Sequence, residues 1–90
     1  MTLTTVVNLK REPYDVYIGR GSMWGNPFKM GSEADRERVI QAYKKYLKKA
    51  ILSGEISVLD LKALKGKRLG CYCRPKACHG DILAEIVNLI

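Results

Sequence analysis

All three cysteines and the only histidine of this 90-residue chain fall in one segment, which reads Gly70-Cys71-Tyr72-Cys73-Arg74-Pro75-Lys76-Ala77-Cys78-His79-Gly80-Asp81. The residues from Lys67 to Cys73 are typical of a short β-strand, so Cys71 and Cys73 would share one face and Tyr72 would lie on the other. Apolar residues then recur at helical spacing, at Ile82, Leu83, Ile86, Val87 and Ile90. The sequence therefore predicts a strand, a tight loop and a C-terminal helix that begins near Cys78.

The start of this predicted helix has the features of an anion-binding site. The first amides of a helix have no partner within it, and the helix dipole favours negative charge there. Arg74 and Lys76 add positive charge in the preceding loop. We therefore predict that Arg74 and Lys76 contact a phosphate group.

The composition predicts a single α/β domain over residues 1–90. The hydrophobic fraction of 47% suits a globular fold. The chain has no apolar run of some 18 residues and its first residues lack the pattern of a signal peptide, so we expect a cytoplasmic protein with no membrane contact. Three cysteines within eight residues favour metal binding or thiol chemistry over a disulfide framework. The net charge of +7 favours partners that carry phosphate.

The remaining elements are predicted in the order β, β, α, α, β, α. The segments Thr4–Lys10 and Asp15–Arg20 suit two strands, and the short turn between them suggests a hairpin, with a longer excursion as the alternative. A long helix should begin at Ser32, with Asp35 completing a capping box, and end at Gly54. A short helix should run from Ser57 to Gly66. We expect a small mixed β-sheet of about three strands with helices packed against it.

A glycine-rich loop, Gly19–Phe28, is the second candidate for ligand contact. Its glycine spacing differs from that of dinucleotide-binding and P-loop motifs. Arg20 offers a planar fork for phosphate, and Trp24 and Phe28 would stack on a base or cover the core. Ser22 and Asn26 are able to orient a ligand. Because both loops follow the carboxyl ends of strands, we expect them to meet in one pocket.

Three interpretations of the cysteine–histidine segment stay open. Cys71, Cys73, Cys78 and His79 form a legitimate zinc set, although their spacing differs from that of paired zinc knuckles. Alternatively, Cys78 is a nucleophile activated by the helix N-terminus, and His79 acts as the acid or base. A pair of Cys73 and His79 is geometrically easier than one of Cys78 and His79. Asp81 would then orient His79 or cap the helix. In the third interpretation the thiols pack in a pocket that binds its ligand without covalent chemistry.

These features favour recognition of a nucleotide or other phosphorylated ligand, and leave open whether the protein also processes it. Whether the protein is an enzyme stays open at this point. The first alternative is a non-enzymatic nucleic-acid-binding module, with or without a stabilising metal, that uses Lys44, Lys45, Lys48 and Lys49. Such a run of lysines is more often a solvated helix face. The second alternative is a viral accessory module that binds other proteins.

Nearly the whole chain resembles an uncharacterised phage and bacterial family, domain of unknown function 4326. The residues that carry the resemblance are Val6–Leu9, Asp15–Ser22, Trp24–Phe28, Leu64–Lys67, Leu69–Pro75 and Cys78–Asp81. The family usually has Trp at the position of Tyr72. The cysteine–histidine segment is also similar, more weakly, to uncharacterised family 488. The resemblance implies a pocket shared by the two loops and a setting in mobile elements or nucleotide metabolism, but it supplies no activity.

Overall fold

The computed structural model describes residues 3–29, 31–72 and 76–90. Within these ranges a three-stranded sheet is combined with three α-helices, which confirms the predicted α/β class. The strands are β1 (Thr5–Asn8), β2 (Val16–Tyr17) and β3 (Arg68–Cys71), and the helices are α1 (Arg36–Ser53), α2 (Val58–Lys62) and α3 (His79–Leu89). The prediction that Cys73 belongs to the third strand falls outside the described residues.

The sheet has the order β1-β3-β2, and both neighbours pair with β3 in parallel. The predicted hairpin is therefore wrong, and in the described ranges the sheet is parallel rather than mixed. The physical reason is that β3 is the most buried strand: Leu69, Gly70 and Cys71 are all buried, and such a strand needs a partner on both edges. Asp15 fixes the outer pair, because its amide donates to Arg68 and its carboxylate accepts from the Arg68 amide at 2.8 Å.

Helix α1 begins later than predicted, after a single 3-10 turn at Glu33–Asp35. The predicted capping box of Ser32 and Asp35 is wrong, since the Ser32 side chain makes no capping hydrogen bond. Asp35 instead accepts a hydrogen bond from the Gly31 amide at 3.1 Å, a contact that shapes the approach to the helix. The predicted end is confirmed, because Gly54 closes α1 in the left-handed conformation at φ 85°.

Helix α2 starts at its N-cap Ser57, as predicted, and the structure shows a capping box there. The Ser57 hydroxyl accepts from the Asp60 amide, and the Asp60 carboxylate accepts from the Ser57 amide, both at 3.1 Å. The helix ends at Lys62 rather than near Gly66, and hydrogen-bonded turns lead on to β3. Of the helices described, none combines the length and apolar character that crossing a membrane requires.

One hydrophobic cluster joins the sheet, α1 and α3. Its fully buried members include Ile18, Tyr43, Leu47, Leu69, Leu83 and Val87. Helix α3 reaches the sheet closely at Gly80, where an added Cβ would lie 2.8 Å from Ile18 Cδ1 and 3.1 Å from Val6 Cγ1. This close approach places the N-terminus of α3 beside the carboxyl ends of β2 and β3.

Candidate functional site

A pocket of about 430 Å³ opens at the carboxyl-terminal edge of the sheet. Both loops singled out in the sequence contribute to it, so the predicted meeting of the two halves of the chain occurs. The lining residues are Gly19, Arg20, Asn26 and Phe28 from the glycine-rich loop, Arg36, Val39 and Ile40 from α1, and Cys71, Tyr72, Ala77, Cys78 and His79 from the cysteine–histidine segment.

The two described cysteines form part of the pocket wall. Cys71 is the last residue of β3 and Cys78 is the N-cap of α3. Their sulfur atoms lie 3.1 Å apart, and the residues are only 2% and 3% exposed. Both are reduced. Strand, loop and helix therefore bring two thiols seven residues apart into direct contact.

His79 is held in one orientation by the main chain of Ile18, the residue that follows β2. Its Nε2 lies 2.7 Å from the carbonyl oxygen of Ile18. A carbonyl oxygen only accepts, so we assign the ring proton to Nε2, which leaves Nδ1 as the acceptor of the neutral ring. The Tyr43 ring packs edge-on against His79 with centroids 5.0 Å apart. The histidine is thus fixed by a hydrogen bond on one side and an aromatic contact on another.

The glycine-rich loop is stabilised mainly by its own polar side chains. Ser22 Oγ donates to the Gly19 carbonyl at 2.7 Å, and Ser22 does not line the pocket. Asn26 does line it, but its side chain donates to Val39 and accepts from the Phe28 amide, at 3.3 and 2.9 Å. The predicted ligand-orienting side chains of Ser22 and Asn26 therefore have structural partners.

Trp24 belongs to the hydrophobic core rather than to the pocket wall. It is 5% exposed, and its carbonyl accepts a hydrogen bond from the Tyr43 hydroxyl at 2.9 Å. Of the two interpretations given for Trp24, the structure bears out the one in which it covers the core. Burial raises the pKa of Tyr43, so this hydroxyl keeps the proton that it donates.

Two exposed aromatic side chains do line the pocket, and one of them was not predicted. Phe28 is 43% exposed and packs edge-on against Tyr46 at 6.3 Å between centroids. Tyr72 is 58% exposed, with the Lys10 ammonium 5.6 Å from its ring centroid. Strand alternation predicted that Tyr72 lies on the face opposite the cysteines, but β3 ends at Cys71, and Tyr72 lines the same pocket as Cys71.

The basic residues around the pocket differ in how far their charge is neutralised. Arg36 donates two hydrogen bonds to Glu33, at 2.7 and 2.8 Å, and a third to the Ala77 carbonyl at 2.8 Å. Lys76, predicted to hold phosphate, lies 2.9 Å from the same Glu33 carboxylate and does not line the pocket. Hydrogen bonds from Arg36 and then Lys76 lower the pKa of Glu33 to about 2.

Arg20 stands apart from this network. It lines the pocket, is exposed, and makes no ion pair with any carboxylate of the residues described. The sequence did not single out Arg36, because the apolar spacing that predicts α1 carries no information about its polar residues. The signal was its spacing of three residues from Glu33, which suits a helical ion pair.

Asp81 acts as a cap on α3, one of the two roles considered for it. Its carboxylate accepts from the Cys78 amide at 3.1 Å, and it does not line the pocket. Cys73 and Arg74, predicted as catalytic and ligand-binding residues, lie outside the described residues. Among the side chains that are described, no group of three or more potential metal ligands comes together. The four-ligand metal site that includes Cys73 stays a prediction.

Comparison with known proteins gives a family and two viral relatives. The profile of the family "Domain of unknown function (DUF4326)" matches residues 3–89. The chain is 49% identical over 87 residues to an uncharacterised 12.4 kDa protein from the nrdA-td intergenic region of Enterobacteria phage T4, covering 96% of this chain and 79% of that protein. It is 32% identical over 114 aligned positions to an uncharacterised protein of Acanthamoeba polyphaga mimivirus, covering 100% and 84% respectively. No solved structure matches it significantly.

Proposed function

Since the chain belongs to the DUF4326 family, whose description assigns no function, we propose its function from the pocket: it binds a nucleotide or a similar phosphorylated small molecule. The family resemblance deduced from the motifs is confirmed by the match over residues 3–89. The observation that carries the proposal is the exposed Arg20, which pairs with no carboxylate of the described residues and lines a concave site shared with the N-terminus of α3.

Position and size support this proposal. Ligands of open α/β sheets bind at the carboxyl ends of the strands, which is where this pocket lies. Its volume of about 430 Å³ falls within the range of small-molecule sites. Residues Val39 and Ile40 supply an apolar wall, and Phe28 and Tyr72 offer exposed rings at its edge. A ligand with one flat ring and one anionic group matches this combination.

The anionic end of the ligand is assigned to the side of Arg20. The guanidinium group of Arg20 provides two parallel donors for phosphate oxygens. Arg36 is occupied by Glu33 and Ala77, so it braces the loop before α3 more than it adds charge. The capping carboxylate of Asp81 opposes an anion near the Cys78 amide, which supports assigning the phosphate to the side of Arg20.

Chemistry on the bound ligand is a further prediction that rests on His79. Its fixed tautomer leaves Nδ1 as the basic nitrogen, and the residue lines the pocket beside Cys78. A general base needs both properties. If the purified protein converts its ligand, we expect His79→Gln to abolish that conversion and to retain ligand binding.

The test of binding is a titration of the purified protein with nucleoside monophosphates, the matching nucleosides and inorganic phosphate. We expect the monophosphates to bind best, and Arg20→Ala to weaken them at least tenfold, because a hydrogen bond to a charged group contributes about 1.5–3 kcal/mol. Lys48→Ala is the matched control, since it removes the same charge from an exposed residue outside the pocket. Equal affinity for nucleosides and monophosphates, or no effect of Arg20→Ala, would count against the proposal.

A second candidate function, nucleic-acid binding, is favoured by one observation on α1. Lys45, Lys48 and Lys49 are exposed, and none of them pairs with a carboxylate of the described residues. Phosphate contacts from these side chains predict an affinity for random DNA or RNA that falls steeply with salt. The double variant Lys45→Ala/Lys49→Ala should reduce that salt dependence, and an affinity unchanged by salt excludes this candidate. An accessory role in viral infection fits the relatives from phage T4 and mimivirus under either function.

A further inference from the structure

We propose that Cys71 and Cys78 form a reversible dithiol site, which a low-molecular-weight disulfide converts to an intramolecular disulfide. The two sulfur atoms lie 3.1 Å apart. That separation exceeds a disulfide bond of about 2.05 Å by only about 1 Å, a distance that small side-chain rotations close. The proposal concerns a covalent modification and stands whether or not the pocket binds a nucleotide.

Packing of the two elements holds this pair in place. Cys71 ends the central strand and Cys78 begins α3, and both side chains belong to the hydrophobic cluster. Arg36 further holds Ala77, the residue before Cys78, through its hydrogen bond to the Ala77 carbonyl. The contact between the sulfur atoms therefore depends on the fold and not on the short sequence separation alone.

The pocket supplies the route by which a reagent reaches these buried thiols. Each residue is at most 3% exposed, yet both line the pocket. A small disulfide that enters the pocket meets the two sulfurs side by side.

The reaction balances as two successive thiol–disulfide exchanges. One protein thiol loses its proton and attacks a sulfur of the external disulfide, whose S–S bond breaks to release one external thiolate. The second protein thiol, likewise deprotonated, attacks the protein sulfur of this mixed disulfide and releases the other external thiolate. The two protons go to the released thiolates, so two protein thiols are oxidised and one external disulfide is reduced to two thiols. Excess external thiol reverses the sequence.

The experiment uses the full chain with Cys73→Ser, so that Cys71 and Cys78 are the only cysteines. The folded variant is equilibrated in mixtures of reduced and oxidised glutathione at a series of ratios. The reaction is quenched with acid, and the mass of the protein is determined by mass spectrometry. We expect the loss of two hydrogen atoms as the mixture becomes oxidising, and its recovery in excess reduced glutathione. Trypsin cuts after Lys76, so the bond should join the peptide 69–76 to the peptide 77–90.

Whether disulfide formation between Cys71 and Cys78 depends on the fold is tested by repeating the oxidation in strong denaturant. We expect the oxidised form to require at least a tenfold more oxidising glutathione ratio in the unfolded chain than in the folded chain. An equal ratio in the two states, or two glutathione adducts in place of the internal bond in the folded state, overturns the proposal.

The natural chain, which retains Cys73, gives a second and independent test. Digestion with chymotrypsin as well as trypsin cuts after Tyr72 and separates Cys71 from Cys73. We expect the crosslink to Cys78 to lie at Cys71 in at least ten molecules for each one at Cys73. A crosslink mainly at Cys73 overturns the assignment even if the Cys73→Ser variant oxidises readily.

Discussion

The hydrogen bond from Tyr43 to the Trp24 carbonyl connects helix α1 to the glycine-rich loop, and its removal is the sharpest test of how that loop is held. Tyr43 is fully buried, and its hydroxyl lies 2.9 Å from the carbonyl oxygen across 19 residues of sequence. Tyr43→Phe removes this hydroxyl and keeps the ring that packs against Tyr46 and His79. The change therefore isolates one buried contact.

The expected loss of stability follows from the burial of both partners. A typical intramolecular hydrogen bond contributes about 1 kcal/mol, and a buried group left without its partner costs about 1–3 kcal/mol. We expect Tyr43→Phe to lower the free energy of unfolding by about 1–2 kcal/mol. A domain of this length has a total stability of about 5–13 kcal/mol, so the melting temperature should fall by roughly 4–15 °C.

The assay is urea unfolding followed by circular dichroism, with the midpoint and the m-value fitted separately. A lower midpoint with an unchanged m-value indicates lost stability in the same fold. Tyr46→Phe is the control, because Tyr46 lies one turn further along α1 and its hydroxyl makes no hydrogen bond to any residue described. If Tyr43→Phe and Tyr46→Phe have the same midpoint as the natural chain, the hydroxyl of Tyr43 does not hold the loop.

Two further substitutions test the loop and the charged network beside the pocket. Gly25→Ala should destabilise the protein by about 1–3 kcal/mol in the same urea assay, because the new Cβ would lie 2.7 Å from the Gly19 carbonyl oxygen; a change below about 0.5 kcal/mol contradicts this steric argument. Glu33 has a pKa lowered from 4.5 to about 2 by Arg36 and Lys76, so its contribution to stability is complete above pH 4.5 and is lost as the pH falls towards 2. Melting curves of Glu33→Gln should therefore depend less on pH in that interval than those of the natural chain, and parallel pH profiles would show that the ion pairs do not stabilise the fold.

Local signals in the sequence predicted most of the elements, because those signals depend on neighbours along the chain. The start of α2 at Ser57, the end of α1 at Gly54 and the start of α3 near Cys78 all follow from short patterns. Strand pairing depends on contacts between distant segments, and here the short turn before Asp15 wrongly indicated a hairpin. The burial of β3 on both faces settles the pairing, and only the folded chain shows how deeply that strand is buried.

The candidate site was predicted as a meeting of two loops, and that meeting occurs, but the assignment of side chains within it was less accurate. The sequence shows that Trp24 and Ser22 are able to contact a ligand. It does not show that Trp24 is bonded to Tyr43 and Ser22 to Gly19 in the folded chain. Tyr72 was overlooked because strand alternation was extended past the residue at which β3 ends. Side-chain roles at a loop depend on where the backbone stops being regular, which the pattern of residues does not fix.

The backbone of Ile18 explains why the two halves of the site meet at all. Its amide donates to the Gly70 carbonyl at 3.1 Å, which carries the pairing with β3 one residue beyond β2, and its carbonyl accepts from His79 at 2.7 Å. The main-chain amide and carbonyl of Ile18 thus join the second strand, the central strand and the first residue of α3. Only a β2 that runs parallel to β3 brings its carboxyl end to this edge, so the parallel pairing is a requirement of the pocket and not an incidental feature of the sheet. Because these bonds are made by main-chain atoms at Ile18, they do not depend on the type of residue at that position. The meeting of the two loops had to be deduced from the polar residues around Ile18.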